Sequence, residues 1–126
     1  MLNEKQLTVL IIEDDSSLRD SLHRTLRRKG YTILEAEEGG AGVILLRTHP
    51  VDVVLIDIFM PGKEGIETIR EIRRMCHDVK VIAMSGGGEK GYIDVLRVAK
   101  ALGCHHTLEK PFSEKDLINA IEAQAA

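Results

Sequence analysis

The 126-residue chain reads as an α/β domain. The fold class expected is flavodoxin-like, a doubly wound (βα)5 unit with a five-stranded parallel sheet in the order 2-1-3-4-5. Three observations predict it. Short apolar runs rich in β-branched residues, such as Val53-Val54-Leu55-Ile56, have the length and continuity of strands buried on both faces. Amphipathic stretches with helical spacing separate these runs. Glycine and proline punctuate the junctions. Parallel strands joined by right-handed crossovers then carry helices on both faces, and all their C-terminal ends lie on one edge.

The elements follow in order. Thr8-Val9-Leu10-Ile11-Ile12 is the first strand, ending in Glu13-Asp14-Asp15. Ser16 or Ser17 can cap the helix that follows, and Asp15 suits the same role better than metal binding. Leu18, Leu22 and Leu26 give that helix its buried stripe, Arg27-Arg28-Lys29 suit its C-terminal dipole as a solvated end, and Gly30 stops it. Tyr31 to Ala36 is a weaker strand. Gly39-Gly40 break the chain, with a short helix expected through Val43-Ile44-Leu45-Leu46. The central strand from Val53 ends at Asp57, because Pro61 cannot donate to a ladder and Gly62 follows. Ile66, Ile69 and Ile72 mark an amphipathic helix. Val79 to Met84 is the fourth strand, followed by Ser85-Gly86-Gly87-Gly88 and a helix through Tyr92, Leu96, Ala99 and Leu102 that Gly103 closes. His105 to Leu108 is a short fifth strand before Glu109-Lys110-Pro111-Phe112. Ser113, with Glu114 and Asp116 behind it, starts a last helix that buries Leu117, Ile118 and Ile121.

Composition narrows the function. The formal charge of -3 argues against nonspecific binding to nucleic acid or an anionic membrane surface. At 3% aromatic residues, a base-stacking surface is not expected. No signal-peptide pattern or membrane-length apolar run is visible, so a cytoplasmic location is expected. Cys76 and Cys104 have no metal or redox spacing and read as reduced thiols. His105 and His106, adjacent on a strand, point to opposite faces and suit surface or interface roles better than joint metal binding. Met60 and Met84 read as core, and Gly86-Gly87-Gly88 lacks the Lys-Ser/Thr pair of a P-loop.

Four of the five expected strands end in polar groups: Glu13, Asp14 and Asp15; Asp57; Ser85; and Lys110. A parallel sheet gathers these ends on one edge. Crowded carboxylates repel unless positive charge sits among them. Lys110 supplies one such charge, and oxygen donors suit a hard cation, Mg²⁺ in particular. A carboxylate nucleophile beside Mg²⁺, a lysine and a hydroxyl is a minimal phosphoryl-transfer site.

The chain resembles the receiver domain of bacterial two-component response regulators, of the stand-alone chemotaxis-regulator type. The motifs that carry the resemblance are Ile12-Glu13-Asp14-Asp15, Asp57-Ile58-Phe59-Met60-Pro61-Gly62 with Gly65, Ala83-Met84-Ser85 and Lys110-Pro111-Phe112, in that order and together covering Val9 to about Ala123. The resemblance implies a single receiver domain over residues 1–126, ending after the fifth helix with no output domain. It implies that Asp57 accepts a phosphoryl group from a sensor histidine kinase or a histidine phosphotransfer protein. Asp14 would bind Mg²⁺ directly, Glu13 through water, and Phe59 through its backbone carbonyl. Ser85 would be the switch hydroxyl, Lys110 would pair with a phosphoryl oxygen, and Lys110-Pro111 would be cis. Phosphorylation would shift the face formed by the fourth helix, fifth strand and fifth helix and so change binding of a downstream protein. Such a domain is a phosphoacceptor rather than an enzyme.

Three positions bear on how such a switch would work in this chain. The family often has an aromatic residue three positions before the lysine; here Thr107 stands there, so coupling is expected through Ser85 and the glycine-rich loop. In the family, the side chains two positions after the phosphoacceptor and two after the switch hydroxyl flank the path of a hydrolytic water; here they are Phe59 and Gly87, which cannot orient one, so the resemblance implies slow self-dephosphorylation. The rival readings are a small Mg²⁺-dependent phosphohydrolase, a non-phosphorylated interaction module of the same fold, and a flavin-type cofactor binder. The first needs a general acid where Phe59 stands. The second has no sequence support, and the acidic crevice disfavours the third.

Overall fold

The computed structural model describes residues 6–59, 65–76, 78–86 and 92–125, the side chains of 92–96 excepted. Five strands, β1 (Thr8–Ile12), β2 (Thr32–Ala36), β3 (Val53–Asp57), β4 (Lys80–Gly86) and β5 (His106–Lys110), alternate with α1 (Ser16–Arg28), α2 (Gly39–Thr48), α3 (Gly65–Met75), α4 (Tyr92–Ala101) and α5 (Glu114–Ala125). All strand pairs are parallel and the order is β2-β1-β3-β4-β5, the flavodoxin-like order expected.

The two-residue period of the strands divides the core in two. Leu10, Ile12, Val54, Ile56, Val81 and Ala83 face α2, α3 and α4, where they meet Val43, Leu46, Ile69, Ile72 and Ala99. Val9, Ile11, Val53, Leu55, Ile82 and Met84 face the other way, against Leu22 and Leu26 of α1 and Leu117, Ala120 and Ile121 of α5. β3, flanked by strands and covered on both faces, is buried along its whole length. A charged residue can end such a strand only where the sheet meets its edge, and Asp57 does so.

Several local features differ from expectation. β4 runs two residues past Met84, because its ladder with β5 continues through Ser85↔Glu109 and Gly86↔Lys110. The same ladder shifts β5 forward, so that it spans His106 to Lys110 rather than His105 to Leu108. Cross-strand pairing outweighs the poor strand propensity of Ser85 and Gly86. Gly39-Gly40 do not interrupt the chain but form the first turn of α2, capped by the Glu38 carboxylate through the Gly40 amide at 2.6 Å. The helix therefore starts earlier than its apolar residues suggest. In α5 the buried positions are Leu117, Ala120 and Ile121, with Ile118 only partly covered. Gly30 and Gly103, at φ of 93° and 103°, follow α1 and α4 in the left-handed region. Met84 is fully buried in the core; Met60, Gly62, Gly87 and Gly88 lie outside the described residues, as do the side chains of Tyr92 and Leu96.

Asp15, not Ser16 or Ser17, is the cap of α1, accepting from the Ser17 and Leu18 amides at 2.9 and 3.2 Å. Ser113 caps α5, its Oγ accepting from Asp116 at 3.0 Å. Asp15→Ala is expected to cost about 1 kcal/mol in urea denaturation, and Asp15→Asn, which preserves an acceptor, clearly less. An alanine variant with an unchanged midpoint would mean that the cap contributes nothing.

Candidate phosphoacceptor site

The C-terminal edge of the sheet assembles the site. Asp57 is the last residue of β3 and 5% exposed. Glu13 directly follows β1 and is 1% exposed. Lys110, the last residue of β5, reaches across the edge: its Nζ donates to Glu13 Oε1 at 2.9 Å and to Asp57 Oδ2 at 3.2 Å. The other Asp57 oxygen, Oδ1, accepts from the Phe59 amide at 3.0 Å, and Glu13 Oε2 accepts from the Asp15 amide at 3.1 Å. Both buried carboxylates are thus held at each end.

Asp14 is exposed beside them, and one carboxylate oxygen from each of Glu13, Asp14 and Asp57 lies within 4.8 Å of the other two. An all-oxygen cluster of this kind, with one member open to water, fits a hard divalent cation that keeps part of its hydration shell. Ser85 lies in β4 one position beyond Met84, the partner of Asp57 in the ladder. Its side chain is fully buried, and among the described residues its Oγ has no hydrogen-bond partner. A buried hydroxyl left without a partner costs about 1–3 kcal/mol. Phe59 is 45% exposed next to Asp57, and Lys110-Pro111 is cis.

The residue after β3 and the start of α3 meet in a tight approach. The Gly65 amide donates to the Ile58 carbonyl at 3.2 Å, and a Cβ on Gly65 would lie 2.5 Å from the Ile58 Cα and O atoms. No other residue fits there without moving the chain next to Asp57.

The structure brings Glu13, Asp14, Asp57 and Lys110 together, with Ser85 on the same edge, and turns Asp15 away to its helix. Thr107 pairs with Ala83 in the ladder and is half-buried. His105 is half-buried, and its Nδ1 accepts from the Val81 amide at 3.1 Å. Burial, with Arg73 and Lys80 nearby, holds its pKa below the usual histidine range. Sequence reasoning also missed Arg19, whose Nη1 donates to the Glu13 carbonyl at 2.7 Å. The available signal was a cation in the N-terminal half of a helix, where the dipole disfavours it.

Electrostatics follow from burial. Removal from water pushes the Glu13 carboxyl up to about 7; the hydrogen bonds from Lys110 and the Asp15 amide offset this in part, and the Asp57 charge adds to it. Burial lowers Lys110, but its bond to Glu13 and the charges of Asp57 and Glu13 outweigh that and hold the ammonium above the usual lysine range. Without divalent cations, folded Glu13 binds its proton more tightly than unfolded Glu13. Its contribution to stability is full below the unfolded value of 4.5 and is lost as pH rises through about 7. Wild type is therefore expected to lose stability relative to Glu13→Gln from about pH 5 to about pH 8, by at most about 1.4 kcal/mol per pH unit. Urea midpoints of both proteins across that range check this; parallel curves would contradict it.

Comparison with known proteins agrees with this geometry. The family model described as the response regulator receiver domain matches residues 9–122. The chain is 29% identical over 122 residues to sporulation initiation phosphotransferase F of Bacillus subtilis (strain 168), covering 97% of this chain and 94% of that protein. It is 30% identical over 123 residues to the probable C4-dicarboxylate response regulator DctR of Priestia megaterium, covering 96% of this chain but 53% of that protein, so it spans about half the length of this relative. A solved receiver domain from Clostridium thermocellum superimposes with a TM-score of 0.85 at 28% identity, covering 94% of this chain and 93% of the other. With a family match over nearly its whole length and a parallel sheet that brings three carboxylates and a lysine to one edge, the chain belongs to the response regulator receiver domains of two-component signalling.

Proposed function

We propose that Asp57 is the phosphoacceptor of this receiver domain, charged by a sensor histidine kinase or a histidine phosphotransfer protein in the cytoplasm. The observation that carries the reading is the Lys110 ammonium held against both Glu13 and Asp57 at the sheet edge. In the reaction, a carboxylate oxygen of Asp57 attacks the phosphorus of the donor phosphohistidine. An O–P bond forms, the N–P bond breaks, and its electron pair stays on the donor imidazole, which takes up a proton from water. Lys110 pairs with a phosphoryl oxygen and offsets charge as it develops. Glu13, Asp14 and Asp57 would hold Mg²⁺, with the Phe59 carbonyl as a further ligand; the ion supplies charge neutralisation to the phosphoryl oxygens.

The buried Ser85 hydroxyl supports its role as the switch. A phosphoryl oxygen on Asp57 would offer the hydroxyl a partner that it lacks among the described residues, and movement of the hydroxyl toward it would pass the change on beyond β4. The face formed by α4, β5 and α5 would then change its affinity for a downstream protein, with Thr107 leaving no aromatic ring to gate the path.

Asp57→Asn should abolish labelling by acetyl phosphate with Mg²⁺, read by intact-protein mass, since an amide is no nucleophile. Asp14→Ala should fold normally yet need more Mg²⁺ for the same labelling rate. Full labelling of Asp57→Asn would sink the assignment. The phosphoryl group should also be long-lived, because half-exposed Phe59 offers no hydrogen bond to a hydrolytic water. The second flanking residue, Gly87, lies outside the described residues. Phe59→Asn should quicken decay about tenfold, a barrier change of about 1.4 kcal/mol, within reach of one hydrogen bond. Decay after donor removal measures it, and wild-type loss within seconds would contradict the account.

A further inference from the structure

We infer that Arg19 is a positioning residue for the acidic pair, setting the affinity of the site for Mg²⁺ without touching the ion or the phosphoryl group. This rests on the proposal that Glu13, Asp14 and Asp57 hold the cation. The Arg19 side chain is 13% exposed, and its Nη1 donates to the carbonyl of Glu13 at 2.7 Å. That oxygen belongs to the peptide unit joining Glu13 to Asp14. Pinning it fixes the plane from which the Asp14 side chain projects. On the other side, the Glu13 amide donates to the Ala36 carbonyl of β2 at 3.0 Å. The backbone leading into the acidic pair is therefore clamped from both directions.

The guanidinium is itself fixed. Its Nε lies 3.7 Å from Glu35 Oε1, and Glu35 Oε2 lies 2.6 Å from His23 Nδ1. Glu35 belongs to β2 and His23 to α1, so the clamp ties the first helix to the edge strand. Asp14, as the exposed member of the acidic cluster, has most to gain from a fixed backbone. Glu35 also compensates the positive charge of Arg19, which would otherwise disfavour a cation nearby.

Two opposite outcomes separate this role from a merely electrostatic one. A cation that only repels Mg²⁺ would, when removed, leave tighter binding. A clamp, when removed, leaves weaker binding. For unphosphorylated protein titrated with Mg²⁺ alone and followed by amide NMR shifts, Arg19→Ala is expected to weaken binding about tenfold, the low end of the cost of losing an outer-shell partner at a metal site. Arg19→Lys, which keeps a donor and the charge, should recover most of the loss. Glu35→Gln, which spares the bond to the Glu13 carbonyl, should stay within about twofold of wild type. With acetyl phosphate, the Mg²⁺ concentration for half-maximal labelling should rise in Arg19→Ala while the rate at saturating Mg²⁺ stays near wild type. Equal or tighter Mg²⁺ binding by Arg19→Ala would overturn the inference, as would a lowered maximal rate with unchanged Mg²⁺ dependence. If Arg19→Ala fails to fold, unchanged Mg²⁺ binding by Arg19→Gln, which is too short to hold the same bond, overturns it instead, and weakened binding supports it. Failure of wild type to respond to Mg²⁺ would instead strike the parent proposal.

Discussion

The Lys110 ammonium is the point on which the sheet edge depends. It joins the ends of three strands, reaching Glu13 and Asp57 across 97 and 53 residues of sequence. Two buried carboxylates side by side would be costly; one ammonium between them offsets part of that cost. With Asp14 beside them, the cluster still carries a surplus of negative charge. Proton uptake by Glu13 relieves some of it, and a bound cation would relieve more. The same surplus that strains the metal-free edge is what suits it to a divalent ion.

Such an edge needs a rigid base. The two-face core supplies one: alternate residues of β1, β3 and β4 are anchored in separate apolar layers, so a one-residue slip would move every side chain of a strand into the opposite layer and disrupt the packing of both. Around the acids, short polar bonds extend that rigidity into the loops. The Asp57 carboxylate is held by Phe59 and Lys110, Glu13 by Asp15 and Lys110, and the backbone of Glu13 by Ala36 and Arg19. Receiver domains are signalling proteins rather than enzymes, yet this is the preorganisation that phosphoryl transfer requires.

Ser85 contrasts with these satisfied groups. Its hydroxyl lies inside a strand, fully buried, without a partner among the described residues. Glu13, Asp57 and Lys110 have their bonds already; Ser85 can gain one. In the proposed cycle that asymmetry divides the site into a part that holds still and a part that responds.

Much of this was legible in the chain itself. Continuous apolar runs, helical stripes and glycine stops specify five βα units, because burial on two faces and burial on one leave different periodicities. The positions of Glu13, Asp57, Ser85 and Lys110 near strand ends were also readable, since parallel topology alone sends those ends to one edge. What local pattern could not carry was pairing. β4 and β5 extend through Ser85-Gly86 and Glu109-Lys110 because each completes the ladder of the other, against the propensity of the residues. Glu38 starts α2 at two glycines that otherwise look like a break. Arg19 and His105 carry no motif; their partners are a backbone carbonyl and a backbone amide, which every residue presents alike. Sequence encodes which side chains must leave water, whereas only the folded chain decides which backbone group each polar side chain will meet.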